Sequence, residues 1–394
     1  MPGILAIIPA RGGSKGLPRK NLRLFCGVPL VSVTVWQAAQ SVSISRIVVS
    51  TDDEEIAAAA ERFGAEIIVR PPDISDDAAS SESALLHSLD SLRDRDGYEP
   101  DLVVFLQCTS PVRYQGDIDR AVATLVREEA DSLLSVAPSH RFLWSRANGN
   151  ARPVNYDPVH RPRRQERTPE FVENGSIYVF KPWVLRQFRN RLGGKIALFE
   201  MDEATSFEID DAFDFELVQW IARSRGVPMP SHEMLSDLRL LVLDFDGVLT
   251  DDRVLVIEGG KEAVWCSRGD GMGIALLRET GLPIVVLSRE TNSVVADRCR
   301  KLGIPSYQGI GDKEAFLESY CRDSGIPLRQ VAYVGNDIND IECMKRVGLP
   351  IAVADAHLEV RKTARLILNA AGGRGAVREL CDLILTRWGS GLVS

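Results

Sequence analysis

Short apolar runs that each end in a polar or glycine-containing loop are the feature that most constrains the fold of this chain. In the first half these runs are ILAIIPA, RIVVSTDD and LVVFLQCTSP, and segments with helical spacing, such as Glu54–Phe63 and Ser83–Leu92, separate them. This alternation predicts an α/β fold with a mostly parallel sheet and helices on both faces. Ligands of such sheets bind beyond the carboxyl ends of the strands, so we expect the functional residues in these polar loops.

The same pattern starts again in the second half of the chain. Its runs there are LRLLVLDFDGVLTDD, LPIVVLSRE, QVAYVGNDIND and IAVADA. Between the halves lies RGVPMPSHEM at Arg225–Met234, whose two prolines and weak periodicity are typical of a linker. We therefore predict two domains, 1–228 and 236–394, which agrees with a length of 394 residues.

Charge and cysteine usage exclude several classes of protein. The net charge of -8 argues against a general nucleic-acid binder, so any phosphate binding must come from local basic clusters. No run approaches the roughly 18 apolar residues that a membrane span needs. The seven cysteines are scattered without a CxxC pair, which predicts reduced thiols in a cytoplasmic protein and not a disulfide framework or a zinc site.

A basic, glycine-rich loop, ARGGSKGLPRKN at Ala10–Asn21, directly follows the first apolar run. Its glycines let backbone N–H groups approach an anion closely, while Arg11, Lys15, Arg19 and Lys20 offset phosphate charge. The spacing is neither that of a P-loop nor that of a GxGxxG dinucleotide loop. A plain turn with solvated cations is the alternative, but four cations around three glycines favour a charged partner. The loop is therefore predicted to bind phosphate groups.

The first half contains, in order, the motifs IPARGGSKGLPRKNLR, VSTDD, RPPDISDDAASS, LQCTSPVR, RRQ, ENGSIYVF and FEIDDAFDFE. These seven motifs resemble, in the same order, those of the CMP-sialic acid synthetases (acylneuraminate cytidylyltransferases). The resemblance spans essentially all of residues 1–225 and implies a fold like that of nucleotide-diphospho-sugar transferases. It also implies transfer of CMP from CTP to a sialic acid or related nonulosonic acid, with pyrophosphate leaving.

The resemblance implies roles for individual residues of the first half. Arg11 and Lys20 would act as catalytic cations, and the sugar acid would contact Gln107, Arg164 and Tyr178. Arginine suits a carboxylate because its planar fork donates two parallel hydrogen bonds. The nucleotide would contact Arg11, Gly13, Ser14, Lys15, Lys20, Asn21, Arg70, Ser80 and Ser81.

A magnesium site is also implied, at Glu208 and Asp210. Residues two apart in an extended segment point to the same side, so both carboxylates can reach one cation beside the triphosphate. The family usually has aspartate where Glu208 stands. Because glutamate is one methylene longer, the position of the metal or the rate can differ from the family norm.

A second acidic centre begins with LVLDFDGVLTDD at Leu241–Asp252, an apolar strand that ends in Asp-x-Asp-Gly-x-x-Thr. It resembles the first signature of the haloacid dehalogenase (HAD) phosphatases, and the likeness covers about 237–384. It implies a Rossmann-like domain in which Asp244 is the nucleophile and Asp246 the general acid and base. Ser288 matches the phosphate-binding hydroxyl, and Lys313 matches the lysine that steadies the charges of the aspartate and the phosphate.

The fourth HAD motif is GNDIND at Gly335–Asp340. Many members of the superfamily have aspartate directly after the glycine as the Mg²⁺ ligand, where this chain has Asn336. The implied magnesium ligands are therefore Asp244, Asp246, Asn336 and Asp337, with Asp340 as an alternative to Asp337.

The second domain has no room for a large cap. The segment RVLVIEGGKEAVWCS is predicted to form a β-hairpin, and the tail GGRGAVRELCDLIL at Gly372–Leu385 resembles that of the capless subgroup containing the KDO-8-phosphate phosphatases. Members of that subgroup often form tetramers, which implies a homo-oligomer assembled through this domain. One hypothesis is that the second domain dephosphorylates a sugar 9-phosphate that the first then activates. Two alternatives stay open: another sugar acid (KDN, legionaminate, pseudaminate or KDO), and a silent second domain that serves only in oligomerisation.

Overall fold

The computed structural model describes residues 3–75, 79–147, 149–259 and 261–389. The chain divides into two compact units, one formed by 1–23 with 30–228 and the other by 24–29 with 229–394. Within the described residues, no helix combines the length and the apolar character that crossing a membrane would require.

A seven-stranded sheet forms the centre of the first unit, in the order β11-β7-β10-β6-β1-β4-β5. Strand β10 runs antiparallel to both of its neighbours, and the other pairs are parallel, as predicted. The strands up to residue 228 are β1 (Ile4–Pro9), β2 (Leu24–Phe25), β3 (Val28–Pro29), β4 (Arg46–Thr51), β5 (Glu66–Val69), β6 (Leu102–Leu106), β7 (Ser132–Ser139), β8 (Trp144–Ala147), β9 (Asn150–Pro153), β10 (Glu170–Phe180) and β11 (Ile196–Glu200).

Helices cover this sheet, and local capping sets where two of them begin. Asp53 accepts hydrogen bonds from two backbone N–H groups at the start of α2, and Ser80 caps α3, which ends at Gly97 in the left-handed conformation. Both predicted helices are present, and α3 extends beyond the predicted segment at each end. The helices are α1 (Leu30–Ala39), α2 (Glu54–Glu61), α3 (Ser81–Asp96), α4 (Asp117–Arg127), α5 (Pro182–Phe188) and α6 (Ala212–Ser224), with short 3-10 helices at Lys20–Leu22, Pro72–Ile74, Arg164–Glu166 and Glu203–Ser206.

The core of the first unit lies between α3 and the middle of the sheet. Leu85 and Leu89 of α3 pack in one buried cluster with Ile7 of β1 and with Phe105 and Tyr178 of the neighbouring strands. Burial of this apolar surface fixes the strands, and so it fixes the loops that follow them. Those loops hold the residues predicted to bind ligands.

The second unit contains a six-stranded, fully parallel sheet in the order β16-β15-β12-β17-β18-β19. The predicted β-hairpin is present as β13 paired with β14. The remaining strands are β12 (Leu240–Leu243), β13 (Thr250–Ile257), β14 (Lys261–Cys266), β15 (Ile284–Leu287), β16 (Ser306–Tyr307), β17 (Val331–Gly335), β18 (Leu349–Ala352) and β19 (Leu366–Ile367). The helices are α7 (Pro230–Ser236), α8 (Arg268–Arg278), α9 (Ser293–Leu302), α10 (Lys313–Asp323), α11 (Ile341–Arg346), α12 (Leu358–Thr363) and α13 (Ala376–Gly389), with 3-10 helices at Leu328–Gln330 and Ile338–Asp340.

Three adjacent strands of this sheet lead into the HAD-like motifs. Asp244 follows β12, Ser288 follows β15 and Asn336 follows β17. Because the three strands are parallel neighbours, their carboxyl ends meet at one edge of the sheet. The fold is therefore the predicted α/β class in both units.

Candidate active sites

A cleft of about 260 Å³ opens at the carboxyl ends of β1 and β6 in the first unit. It brings together nearly all of the residues predicted to bind the nucleotide. In the part of the chain that the structure describes, Lys15 is the one predicted nucleotide residue outside the lining. The lining is Pro9, Arg11, Gly13, Ser14, Lys20, Asn21, Arg70, Ala79, Ser80, Ser81, Phe105, Gln107, Cys108 and Thr109.

Acidic residues at the end of β4 hold the basic loop in place. The backbone N–H of Gly12 donates to Asp52 Oδ1 at 2.9 Å. Arg19, in the left-handed conformation with φ 56°, pairs with Asp53 at 2.7 Å and with Glu55 at 2.9 Å. Arg19 therefore closes the loop and does not line the cleft. The two aspartates of the VSTDD motif therefore support the basic loop through these contacts.

The predicted acidic metal segment packs directly against the basic loop. Lys20 Nζ donates to the carbonyl oxygen of Ile209 at 2.7 Å and lies 3.9 Å from Asp210 Oδ1. A Cβ placed on Gly16 would lie 2.2 Å from the carbonyl oxygen of Asp210, so only glycine fits there. Ile209 N–H donates in turn to the carbonyl oxygen of Thr109. Burial lowers the pKa of Lys20, and Asp210 opposes that shift.

Glu208 and Gln107 meet at Gly175, a residue of the ENGSIYVF motif. Gly175 has φ +64°, and a Cβ there would lie 2.6 Å from Glu208 Oε1 and 3.0 Å from Gln107 Oε1. Burial raises the pKa of Glu208, and the nearby Asp210 and Glu173 raise it further. A predicted metal ligand and a predicted sugar ligand therefore share one corner of the site.

Tyr178 is almost completely buried, with 2% of its surface exposed. Its ring stacks on Phe105 with 5.3 Å between centroids, and its hydroxyl donates a short hydrogen bond to Glu173. The guanidinium of Arg191 lies 4.4 Å from the centre of the Tyr178 ring and pairs with Glu82 at 2.6 Å. Tyr178 thus lies behind Phe105 of the cleft wall. Arg191 joins it to the start of α3, and no sequence motif had singled out Arg191.

Two predicted features fall outside what the structure describes. The backbone of Arg164 lies in the 3-10 helix Arg164–Glu166, but its side chain is not among the described parts. Residues 76–78 of the RPPDISDDAASS motif lie outside the described residues altogether. The predicted contact between Arg164 and the sugar carboxylate therefore stays a prediction.

A buried charge network forms the centre of the second unit. Lys313 Nζ lies 2.8 Å from Asp244 Oδ1 and 2.9 Å from Asp340 Oδ1. Tyr333, at the middle of β17, donates its hydroxyl to the same oxygen of Asp340 at 2.8 Å. Burial raises the pKa of Asp244 above its usual range; Asp340 adds to this shift and Lys313 opposes it. Burial acts to lower the pKa of Lys313, but the two aspartates raise it overall.

Asp246 and Ser288 flank this network, each in the loop after its strand. Burial raises the pKa of Asp246 to about 6, with Glu290 and Asp252 contributing. Ser288 is 1% exposed, and its hydroxyl accepts a hydrogen bond from the backbone N–H of Glu290 at 3.0 Å. A carboxyl group with a pKa near 6 can donate a proton and take it back close to neutral pH.

The polar side chains of GNDIND differ in whether they already have hydrogen-bond partners. Asn336 Oδ1 is buried and has no hydrogen-bond partner among the described residues. Asp337 is exposed and caps the 3-10 helix Ile338–Asp340. Asp340 accepts from Lys313 and Tyr333 through Oδ1 and from two backbone N–H groups through Oδ2. The geometry thus favours Asn336 over Asp337 and Asp340 as a cation ligand.

Comparison with known proteins agrees with the first cleft. Residues 5–238 match the family model described as cytidylyltransferase. The N-acylneuraminate cytidylyltransferase of Oncorhynchus mykiss is 32% identical over 393 residues, covering 97% of this chain and 88% of that protein. The chain belongs to the cytidylyltransferase family. The family predicted from the basic loop and its companion motifs is thereby confirmed.

The second unit of this cytidylyltransferase has relatives of its own. Residues 308–380 match the haloacid dehalogenase-like hydrolases. A 3-deoxy-D-manno-octulosonate 8-phosphate phosphatase of Salmonella typhi is 38% identical over 165 residues, covering 41% of this chain and 88% of that protein. The Moraxella catarrhalis phosphatase of the same name, solved with magnesium, phosphate and KDO, is 30% identical, with a TM-score of 0.39 and coverage of 40% of this chain and 91% of that one. The sequence prediction of an enzyme that joins a transferase to a HAD-type hydrolase is confirmed.

The glycine-rich tail packs against the second site, and this contact was not predicted from the sequence. A Cβ on Gly372 would lie 1.9 Å from the carbonyl oxygen of Gly247, in the loop that holds Asp244 and Asp246. A Cβ on Gly373 would likewise meet the backbone of Thr250 and Asp251 at 2.4 and 2.5 Å. The tail of the cytidylyltransferase therefore packs backbone to backbone against the loop that holds Asp244 and Asp246.

Proposed function

We propose that the first domain transfers CMP from CTP to a sialic acid or a related nonulosonic acid, releasing pyrophosphate. The observation that carries the proposal is the single cleft that joins Arg11, Lys20 and the start of α3 to Gln107. We further propose that the domains are 1–228 and 236–394, and that the second is a Mg²⁺-dependent sugar-phosphate phosphatase. A cytoplasmic location, where CTP is available, is part of this proposal.

In the transfer reaction, the anomeric hydroxyl of the sugar acid attacks the α-phosphorus of CTP as pyrophosphate leaves. Arg11, Lys20 and the N-terminus of the 16-residue helix α3 supply positive charge to the triphosphate. The hydrogen bond from Lys20 Nζ to the carbonyl oxygen of Ile209 holds the ammonium group in place before the substrate binds. Little reorganisation of Lys20 is therefore needed during the reaction. Positioning and charge neutralisation are therefore the main contributions of this site.

The donor set of the first site fits a magnesium ion. Glu208 and Asp210 are close enough that Asp210 raises the pKa of Glu208, so a cation between them would relieve their repulsion. Both are hard oxygen ligands, as Mg²⁺ prefers. Bound there, the ion would lower the pKa of the attacking hydroxyl and neutralise phosphate charge. The described residues contain no group of three or more His, Cys, Asp or Glu side chains that could hold a metal ion. Substrate oxygens and water would therefore complete the coordination shell of the ion.

The sugar acid is proposed to lie beside Gln107 and Glu208, with its carboxylate paired to Arg164. A sialic acid is the first candidate because it is what the name of the Oncorhynchus mykiss relative implies. KDN, legionaminate, pseudaminate and KDO are the alternatives.

A coupled pyrophosphate assay with CTP and each acid in turn tests the transfer activity. Rapid release with one acid supports the proposal and identifies the substrate. Release with none of them, under conditions in which the protein is folded and binds CTP, would refute it.

In the phosphatase reaction, Asp244 is proposed to attack the phosphorus while Asp246 protonates the leaving sugar oxygen. A water molecule then attacks the phosphoryl-aspartate, and Asp246 takes its proton. Lys313, within 2.8 Å of Asp244, stabilises the charges of the nucleophile and the phosphoryl group. Ser288 offers its hydroxyl to a phosphate oxygen.

The second site also fits a magnesium ion, because it contains a buried acceptor without a partner. Asn336 Oδ1, Asp244 and Asp246 would hold the ion, which would neutralise the phosphate and favour the ionised form of the nucleophile. A neutral amide contributes less charge than the aspartate common in the superfamily. The site is therefore proposed to bind Mg²⁺ more weakly than an all-carboxylate site would.

A second candidate role for this domain is assembly, and one surface favours it. The hairpin of β13 and β14 exposes Val254, Leu255, Val256, Ile257 and Trp265, between 48% and 67% each. Exposed apolar side chains concentrated on one hairpin are typical of an interaction surface. We propose a homo-oligomer, with a tetramer favoured, and this role is compatible with catalysis.

Phosphate release from a nonulosonate 9-phosphate separates catalysis from assembly alone. The wild-type chain is expected to release phosphate, and Asp244→Asn is expected to abolish that release while CMP transfer continues. If the variant keeps full phosphatase activity, the assignment of Asp244 is wrong. If the wild type releases phosphate neither from this compound nor from KDO 8-phosphate, the proposed phosphatase activity is wrong and assembly is the remaining role.

A further inference from the structure

Arg113, the last residue of the LQCTSPVR motif, folds back beneath the motif and is 2% exposed. Its Nη1 donates to Gln37 Oε1 at 2.8 Å. Its Nη2 donates to two backbone carbonyl oxygens, those of Gln107 at 2.7 Å and Ser176 at 2.8 Å. The side chain does not line the cleft, so it cannot touch a substrate there.

This buried charge is costly to keep. All three oxygen partners of Arg113 are uncharged, and no carboxylate forms an ion pair with it among the residues that the structure describes. Its Nε is buried without a partner, and burial lowers the pKa of Arg113 to about 10. Packing alone does not explain the residue, because a buried apolar side chain of similar size avoids the desolvation cost.

The two carbonyl groups explain what the guanidinium does. Strands β10 and β6 are antiparallel, and their pairing stops at Ile177 opposite Leu106. The next positions in that register are Ser176 and Gln107, whose carbonyl oxygens both accept from Arg113. Two acceptors brought together cannot bond to each other, so a shared donor has to lie between them. Arg113 therefore supplies a link between the strands at the point where the ladder ends.

This link lies at the sugar side of the proposed site. Gln107 lines the cleft, and Ser176 follows Gly175, the residue at which Gln107 Oε1 and Glu208 Oε1 converge. The spacing between the ends of the two strands therefore sets where both side chains point.

We propose that Arg113 is a positioning residue of the transferase, which holds Gln107 and the Gly175 bend at the separation that the sugar acid requires. This inference rests on the proposed function. It assigns no direct substrate contact to Arg113, and it predicts an effect on the sugar acid that the nucleotide does not share.

The test compares Arg113→Met and Arg113→Lys with the wild-type full-length chain. Arg113→Met is expected to raise KM for the sugar acid on the order of 10-fold or more and KM for CTP by less than about 3-fold. Arg113→Lys keeps the charge but lacks the planar fork, so it is expected to restore less than half of the loss. Hydrogen exchange of the segments 107–110 and 173–178 is measured in the same samples, and it is expected to rise in Arg113→Met.

Arg46→Met is the matched control. Arg46 also belongs to the first unit and is partly buried, and it donates to Glu66 at 2.6 and 2.8 Å, outside the lining of the cleft. Its loss should lower the melting temperature without changing either KM or the exchange of the two segments.

The outcomes separate this inference from the proposed function. Unchanged exchange in Arg113→Met, or equal rises in both KM values, would overturn the role of Arg113. A wild-type chain that is inactive with every sugar acid would instead refute the transfer activity, while the exchange result would still decide whether Arg113 links the two strands.

Discussion

A single methyl group on Gly372 tests the proposed phosphatase centre without touching a catalytic residue. A Cβ there would lie 1.9 Å from the carbonyl oxygen of Gly247, and contacts under 3.0 Å force something to shift, so the two backbones must separate by at least 1.1 Å. On another side Gly247 packs against Asn336, whose Nδ2 would lie 1.8 Å from a Cβ at Gly247. A shift of Gly247 is therefore expected to move Asp246, which directly precedes it, and to disturb its packing against Asn336.

The expected size of the effect follows from this displacement. Overpacking of this kind costs about 1–3 kcal/mol of stability. A misplacement of about 1 Å at a reacting group lowers the rate on the order of 100-fold, or about 2.7 kcal/mol of transition-state free energy. Gly372→Ala should thus lose about 100-fold in phosphatase kcat/KM, while CMP transfer by the other unit stays within about 2-fold.

The assay measures phosphate released from a nonulosonate 9-phosphate, pyrophosphate released with CTP, and the melting temperature, all on one preparation. Gly269→Ala is the control, because a Cβ on that residue of α8 would meet only Ser267 Oγ, at an ordinary 3.4 Å. Alanine there should stabilise the helix by about 0.5–1 kcal/mol and leave both activities unchanged. Phosphatase activity of Gly372→Ala within threefold of wild type would refute the reasoning.

Three further predictions follow from the same geometry. Gly16→Ala, which would place a methyl group 2.2 Å from the carbonyl oxygen of Asp210, should slow pyrophosphate release at least about 10-fold and spare phosphate release. Because burial raises the pKa of Asp246, its protonated form is lost as the pH rises, so phosphatase kcat/KM measured with saturating Mg²⁺ should fall as the pH rises above neutrality; no fall up to about pH 9 would contradict its role as the acid. Asn336→Asp adds a charged ligand and should tighten Mg²⁺ binding about 10-fold in calorimetric titrations without substrate; unchanged affinity would exclude residue 336 as a ligand.

The strand-to-loop pattern predicted where both sites would lie, and the family resemblances supplied the individual residues. Arg11, Lys20 and Gln107 each follow or flank a parallel strand, and so do Asp244 and Ser288. Parallel strands that neighbour one another necessarily bring such loops to one edge, so the spacing of the motifs already contained this information. The structure accordingly places the residues proposed to act directly at those edges.

The supporting residues were not predictable, because each depends on a contact between distant segments. Arg19 carries a charge suited to phosphate, yet it pairs with Asp53 and Glu55, 34 and 36 positions further along the chain. Gly372 meets Gly247 across 125 positions, and nothing in the spacing of the tail indicates that approach. Tyr178 was expected to contact the sugar, but the structure places its ring in the core against Phe105.

The charges beside Gln107 also predict the order of the two proposed reactions. Burial raises the pKa of Glu208, and Asp210 and Glu173 raise it further while Lys20 and Arg191 act against them. Three carboxylates therefore face two cations in this corner, and the proposed Mg²⁺ ion would already be shared with the triphosphate. A sugar 9-phosphate adds about two further negative charges that the free acid lacks. Such a substrate should bind here at least about 10-fold more weakly than the free acid, because it gains repulsion and no new cation. Removal of the phosphate would then precede CMP transfer. The check is kcat/KM for transfer to the free acid and to its 9-phosphate in the Asp244→Asn chain, which should keep the phosphate intact, and equal values would contradict the proposed order.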